Sequence, residues 1–269
     1  MMLSRPQKPA LVAGVLLTGL FLTMALVALL WTPYDPTALA IADKLEPPNR
    51  QHWLGTDQLG RDVLSMIMAG AKASVGVAVL SVLIGLGAGV PLGLAAAARP
   101  GVFDEVLMRA NDVAFAFPAL LSAILLAAVL GPGAIDAIAA LGLFNVPVFA
   151  RVTRAAALAL WTRDFSAAAR VAGKSAVAIS WEHILPNARV LLAVQATIQL
   201  SVGVTAEAGF AYLGLGVQPP TPSWGRMLGD AQTLTALAPT LAVFPGLAVA
   251  LFVLGLNLLG AGLKPGRER

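Results

Sequence analysis

The sequence predicts an all-α polytopic membrane protein of about six transmembrane helices, on three observations. Composition comes first: 58% apolar and 12% charged residues, with a mean hydropathy of +0.81, leave 269 residues too little polar surface to coat a soluble globule. Second, no charge interrupts the runs 9–34, 73–98, 113–135, 137–150, 190–206 and 231–263. About 20 apolar residues cross the ~30 Å hydrocarbon layer, so the first three runs and the last are long enough outright. The fourth and fifth become spans by extension past Asp136 and towards Glu207. Third, thirteen of the eighteen Lys and Arg fall in alternate segments between the runs. With the N-terminus inside, the inner segments hold Arg5, Lys8, Arg99, Arg109, Arg151, Arg154, Arg163, Arg170, Lys174, Arg189, Lys264, Arg267 and Arg269, and the outer ones Lys44, Arg50, Arg61, Lys72 and Arg226. Basic loops resist translocation, so both termini are expected in the cytoplasm.

The net charge of +4 follows from this topology, and its dispersal over several inner segments argues against nucleic-acid binding. Arg5 and Lys8 before an apolar run, with Ala38-Leu39-Ala40 beyond it, resemble a secretory signal. The run is longer than the ~7 to 15 residues of a signal core, so an anchor helix is expected. The chain contains no cysteine, which excludes disulfides, thiolate metal sites and cysteine nucleophiles.

The first outer segment, 32–72, is rich in Pro, Asp and Gly and contains HWLGTDQLGRDVLS from His52 to Ser65. Gly55 and Gly60 permit turns, and Asp57, Arg61 and Asp62 can pair locally, which suits a cap over helix ends. In the second run, Gly85, Gly89 and Gly93 form two small-xxx-small pairs, for packing within the chain or against another subunit. Pro91 removes a backbone donor there and predicts a kink; Pro118, Pro147, Pro239 and Pro245 are expected to act likewise in other spans.

Between the fourth and fifth runs lies DFSAAARVAGKSAVAISWEHILPN, from Asp164 to Asn187. Asp164 is expected to cap a helix over 164–172, with Gly173 in the left-handed position after it. Phe165, Val171 and the alanines give a small apolar surface ringed by Arg163, Arg170 and Lys174, suited to docking on a soluble partner or to lying on the inner leaflet. Gly173-Lys174-Ser175 is not a P-loop, because the earlier glycine position holds Ala168 in a helical context. In the fifth run Gln195, Gln199, Gly203 and Glu207 follow at four-residue steps, and a polar stripe in lipid needs a protein or water partner. Glu207 is therefore expected to have a structural partner or to line a path, with Gln195 and Gln199 as the other path-lining candidates. A second outer loop, EAGFAYLGLGVQPPTPSWGRMLGD, follows from Glu207 to Asp230, with Trp224 suited to the membrane interface. His52 and His183 fall on opposite sides, so no metal or catalytic set is expected.

Three of these segments carry a family resemblance. The 164–187 loop is similar to the cytoplasmic coupling loop of permease subunits of ATP-binding-cassette importers. GTDQLGRD and LGLGVQPPTPSWGRML resemble the dipeptide, oligopeptide and nickel importers, in particular their C-type permease. The resemblance covers about 52–263 and implies a type I importer permease fold: an N-terminal anchor and outer segment over 1–72, a permease core over 73–263 with its coupling loop at about 151–189, and a cytoplasmic tail over 264–269. It implies ATPase coupling through Asp164, Phe165, Ala167, Ala168, Arg170, Gly173, His183, Leu185, Pro186 and Asn187. It also implies a second, homologous permease, two ATPase subunits that hold ATP and Mg²⁺, an extracytoplasmic substrate-binding protein, no cofactor on this chain, and residence in a bacterial inner membrane. Two positions depart from the family: Ala167 stands where its loop has a glutamate, and Ala261 where its C-terminal GDGL has an acid. An ATPase-independent channel or scaffold is the alternative.

Overall fold

The computed structural model describes residues 7–264, so Arg5, Arg267, Arg269 and the tail beyond Lys264 lie outside the described residues. The chain is almost wholly helical. α1 (Gln7–Val27) leads into the first outer segment, with a 3-10 turn at Ile41–Asp43. α2 (Val63–Ile84), a π-helical turn at Gly85–Gly89 and α3 (Val90–Ala98) form one continuous 36-residue rod. α4 (Val102–Ala116) and α5 (Ala119–Leu130) are bent by 82°. α6 (Ala134–Trp161), α7 (Asp164–Val171), α8 (Ala176–Ile179), a π turn at Ser180–Ile184 and α9 (Leu185–Tyr212) carry the loop and its flanking spans, and α10 (Trp224–Ala231) and α11 (Thr240–Leu263) complete the bundle.

Helix directions follow from the glycine contacts. Gly85 meets Asn145 and Phe149, Gly89 meets Val146 and Ala150, and Gly93 meets Ala150 and Thr153, so the α2–α3 rod and α6 run parallel. Residues 99–133 must then return the chain across the bundle, and the bent α4–α5 pair makes that sixth crossing. Gly203 lies on Ala78 and Gly260 on Thr197, so α9 runs against both α2 and α11. Gly14 meets Leu259, Gly255 meets Thr18 and Gly262 meets Leu11, so α1 and α11 are antiparallel and the two described ends share one side. That side also carries Arg99, α7 and α8 and is the loop end; the first outer segment and α10 form the cap end.

Several boundaries differ from the sequence reading. The second span starts at Val63, ten residues earlier than the uncharged run, because Lys72 lies inside α2. A domain boundary at residue 72 would therefore cut that helix. The kink expected of Pro91 takes the form of the π turn just before it, where a wider ladder accommodates the missing donor. Pro118 interrupts its span: Phe117 is extended (φ −89°, ψ 118°), as the residue before proline prefers, and α5 starts afresh. Pro147 and Pro245 stay inside their helices. Pro239 precedes α11, so the last span begins at Thr240 and not at residue 231. The glycine stripe of α2–α3 packs within the chain, on α6.

The GTDQLGRD segment is a built cap. Asp57 accepts from the Leu59 and Arg61 amides at 2.8 and 2.9 Å and from Arg61 Nε at 2.7 Å. Asp62 caps α2, accepting from the Ser65 amide at 2.8 Å, while its other oxygen meets His52 Nδ1 at 2.9 Å. Gly60, at φ 76°, turns where a Cβ would run into the Ala40 carbonyl. Arg226 Nε in turn reaches Asp230 at 3.0 Å. Trp224 is not interfacial: it is fully buried, donating its indole N–H to the Ile67 carbonyl at 3.0 Å and packing edge-on against Phe21 and Phe252. Gly225 permits this approach by sitting on the Ala208 backbone, so α10 plugs the cap end between α2, α9 and α11.

Candidate functional site

α7 hangs from the loop end of α6 on small residues. Ser166 is buried and donates its hydroxyl to the Leu160 carbonyl at 2.9 Å; Ala169, one turn on, is buried beside the bundle. The opposite face therefore points away from the bundle. Ala167, Ala168, Val171 and Ala172 form an exposed ridge at helical spacing, with Val171 91% exposed. Alanines at these positions favour helix and keep the ridge low enough for a groove to close over it.

The helix ends differ from expectation at one side only. Arg163 occupies the N-cap position without a capping bond, and Asp164 is the first helical residue, so it does not cap. Its carboxylate stands at the positive end of the helix dipole instead. At the other end Gly173 is left-handed (φ 78°), its amide donates to Arg170 O at 3.0 Å and the Lys174 amide donates to Ala169 O at 3.1 Å, a Schellman stop. Ser175 then caps α8, its hydroxyl oxygen accepting from the Ala178 amide at 3.2 Å. Gly-Lys-Ser is thus a helix stop followed by a helix start.

The remaining loop residues brace the helical hairpin that α7 forms with the start of the continuous helix 176–212. Lys174 pairs with Glu182 and lies 3.1 Å from His183 Nε2, so Glu182 is engaged inside the loop rather than held free for a partner. The Phe165 ring leans over His183, centroids 6.5 Å apart, and is only half-buried. Arg170 lies over the Trp161 ring at 6.0 Å. Leu185 and Pro186 follow the π turn inside a helix that runs unbroken from Ala176 to Tyr212, the wider turn accommodating the missing donor as at Pro91, and Asn187 Nδ2 donates back to the His183 carbonyl at 2.7 Å. Sequence reasoning missed Val177 and Trp181, 60% and 49% exposed beside α7; their signal was two bulky apolar residues in a segment too polar to span.

The polar stripe of α9 faces inward. Gln199 donates to Asn145 Oδ1 of α6 at 2.6 Å, and Gln195 reaches Gln199 at 3.4 Å. Glu207 is fully buried near the cap end of α9, and neither of its carboxylate oxygens has a hydrogen-bond partner among the described residues. Gln199 and Glu207 therefore lie between the helices of one subunit and not on a free, path-facing surface. Exposed charge occurs instead where α4 meets α6, at Arg151, which pairs with Asp112 at 2.5 Å and stacks over Phe115 at 4.8 Å; the neighbouring pair of Arg154 with Asp104 is largely buried. The edges of the uncharged runs marked Asp112 and Arg151, but not that they pair between α4 and α6. Among the described residues no cluster of three potential metal ligands occurs.

Residues 89–267 match the model of the family described as binding-protein-dependent transport system inner membrane component. The chain belongs to that family. Relatives of this permease component include the glutathione transport system permease protein GsiD of Escherichia coli, 41% identical over 97% of this chain and 86% of that protein. The GsiD of Pectobacterium atrosepticum is 39% identical over 91% of this chain and 83% of that protein. Among solved structures, an inward-facing form of the MetNI methionine ABC transporter superposes with a TM-score of 0.60 over 74% of this chain and 97% of that one, at 19% identity. A second crystal form gives 0.59 at 20% identity. At that identity the likeness concerns the fold alone, and it is the type I importer permease fold expected from the sequence. The chain is a multi-span inner-membrane permease subunit of an ABC importer.

Proposed function

We propose that this permease imports short peptides of the glutathione class, as one of a pair of homologous permeases moved by two ATPase subunits and supplied by an extracytoplasmic binding protein. The observation that carries the substrate class is the 41% identity to GsiD over 97% of this chain, which includes both outer segments as well as the core. Among the peptides and metal chelates compatible with the sequence, this favours an anionic tripeptide over nickel.

ATP and Mg²⁺ would be held by the ATPase partners, with no cofactor on this chain. The α7 ridge supplies the coupling contact. It is exposed, apolar and narrow, and it is fixed to α6 through Ser166 and to α9 through the braced 174–187 segment, whose helix runs unbroken into that span. A push on α7 therefore reaches two spans at once, and rocking them changes which side of the membrane the inter-permease path faces. The basic loop end, with Arg99, Arg109, Arg151, Arg154, Arg163, Arg170, Lys174, Arg189 and Lys264, is assigned to the cytoplasm.

The test is uptake of labelled glutathione by proteoliposomes holding the complete complex, its binding protein and internal ATP. The expected result is ATP-dependent accumulation, competed by unlabelled glutathione and indifferent to nickel. Accumulation of nickel in place of glutathione would overturn the substrate assignment.

A further inference from the structure

The loop end also carries a concavity, apart from the α7 ridge. It is a groove of about 360 Å³ between α3 and the segment formed by α8 and the π turn. Its volume falls within the range of small-ligand sites, roughly 300 to 1,000 Å³. One wall belongs to the membrane-spanning rod: Pro91, Leu94, Ala95 and Ala98 present an apolar strip about two helical turns long. The opposite wall belongs to the polar hairpin.

Three features at the mouth ask for a phosphate. Arg99 ends the rod, is exposed, and makes no ion pair among the described residues. Ser180 lines the groove only 4% exposed, and its hydroxyl has no hydrogen-bond partner among the described residues. A buried hydroxyl left unmade costs about 1–3 kcal/mol, which an acceptor oxygen in the groove would relieve. Trp181 stands half-exposed at the rim, with an amphipathic ring of the type that settles at headgroup depth.

We propose that this groove binds an anionic phospholipid, its phosphate held by the Arg99 guanidinium and the Ser180 hydroxyl and one acyl chain laid along α3 from Ala98 towards Pro91. Charge complementarity and the apolar strip running into the membrane select a lipid over a soluble peptide. The groove lies beside the hairpin that anchors α7, so a bound lipid would stiffen the coupling loop against the rod. This inference rests on the α2–α3 rod spanning the membrane and is independent of the transported substrate.

The experiment is native mass spectrometry of the complete transporter released from nanodiscs of phosphatidylcholine with or without phosphatidylglycerol. Phosphatidylglycerol should be retained on the wild-type complex in preference to phosphatidylcholine. Arg99→Gln should lower that retention roughly fivefold, the worth of one basic contact at an anionic surface. Arg99→Lys should keep most of it, and Ser180→Ala should lower it in part. Arg109→Gln, which removes the same charge from a distant part of the loop end, should leave it unchanged. A photoreactive residue in place of Val177 should label lipid. Equal losses in Arg99→Gln and Arg109→Gln would reduce the effect to general surface charge and overturn the site. So would labelling of a protein subunit from position 177, which would assign the groove to a partner.

Discussion

Val171 stands at the crest of α7, whereas Phe165 leans back over His183 and helps to hold the hairpin in shape. The two apolar residues of the loop therefore do different work, and Val171→Asp is the substitution that addresses docking. It places a charge at the centre of the ridge without removing an internal contact. Stimulated ATPase activity of the reconstituted complex should fall roughly tenfold or more, the scale of losing a central apolar contact, while the amount of assembled permease stays constant. Normal stimulation in that variant would remove α7 from the coupling path. Ala167 matters for the same reason: where the resemblance puts a glutamate, this chain presents a methyl group, so the proposed docking would rest on shape. The loop's helix, its glycine stop and its Pro-Asn ending were legible because each rests on local backbone chemistry. The capping role given to Asp164 was not, because Arg163 adopts the extended N-cap conformation and moves the helix start by one residue.

Among the elements, α10 shows how far a motif can be read without its packing. SWGRML reads as a loop piece with an interfacial tryptophan; folded, it is a plug whose indole is fully buried among α1, α2 and α11. Trp224→Ala should destabilise the permease by about 3–5 kcal/mol, measured as a lowered unfolding temperature of the detergent-purified complex. A change indistinguishable from that of an exposed Trp53→Ala would contradict the plug. The bend between α4 and α5 is the other element-level finding. Pro118→Ala restores a donor and lifts the restriction on Phe117, so the two helices should straighten towards one rod. Spin labels at engineered cysteines replacing Val106 and Leu125 should then move apart, on a background free of native cysteine. An unchanged separation would assign the bend to packing on α6. In the sequence this site looked like any other prolyl kink, because a proline marks a break but not its angle, here 82°.

At the scale of the molecule, the six-crossing architecture and the shared side of the two described ends were legible from uncharged runs and Lys and Arg placement alone. Lipid imposes these patterns one segment at a time. The polar stripe was legible as a stripe but not in its direction: Gln199 turns inward to Asn145 on α6, 54 residues away in sequence, and Glu207 is buried with it. The central proposal is of a permease whose spans are tied into one body and whose contact with the energy source would be a short external helix. The most direct measurement of that claim is site-specific cross-linking from Ala168→Cys, unambiguous in a chain with no other cysteine, within the assembled transporter. A cross-link from α7 to an ATPase subunit, with a yield that changes when ATP is bound, is the result this account predicts. No cross-link from position 168, with ATPase contacts captured instead from elsewhere on the loop end, would contradict it.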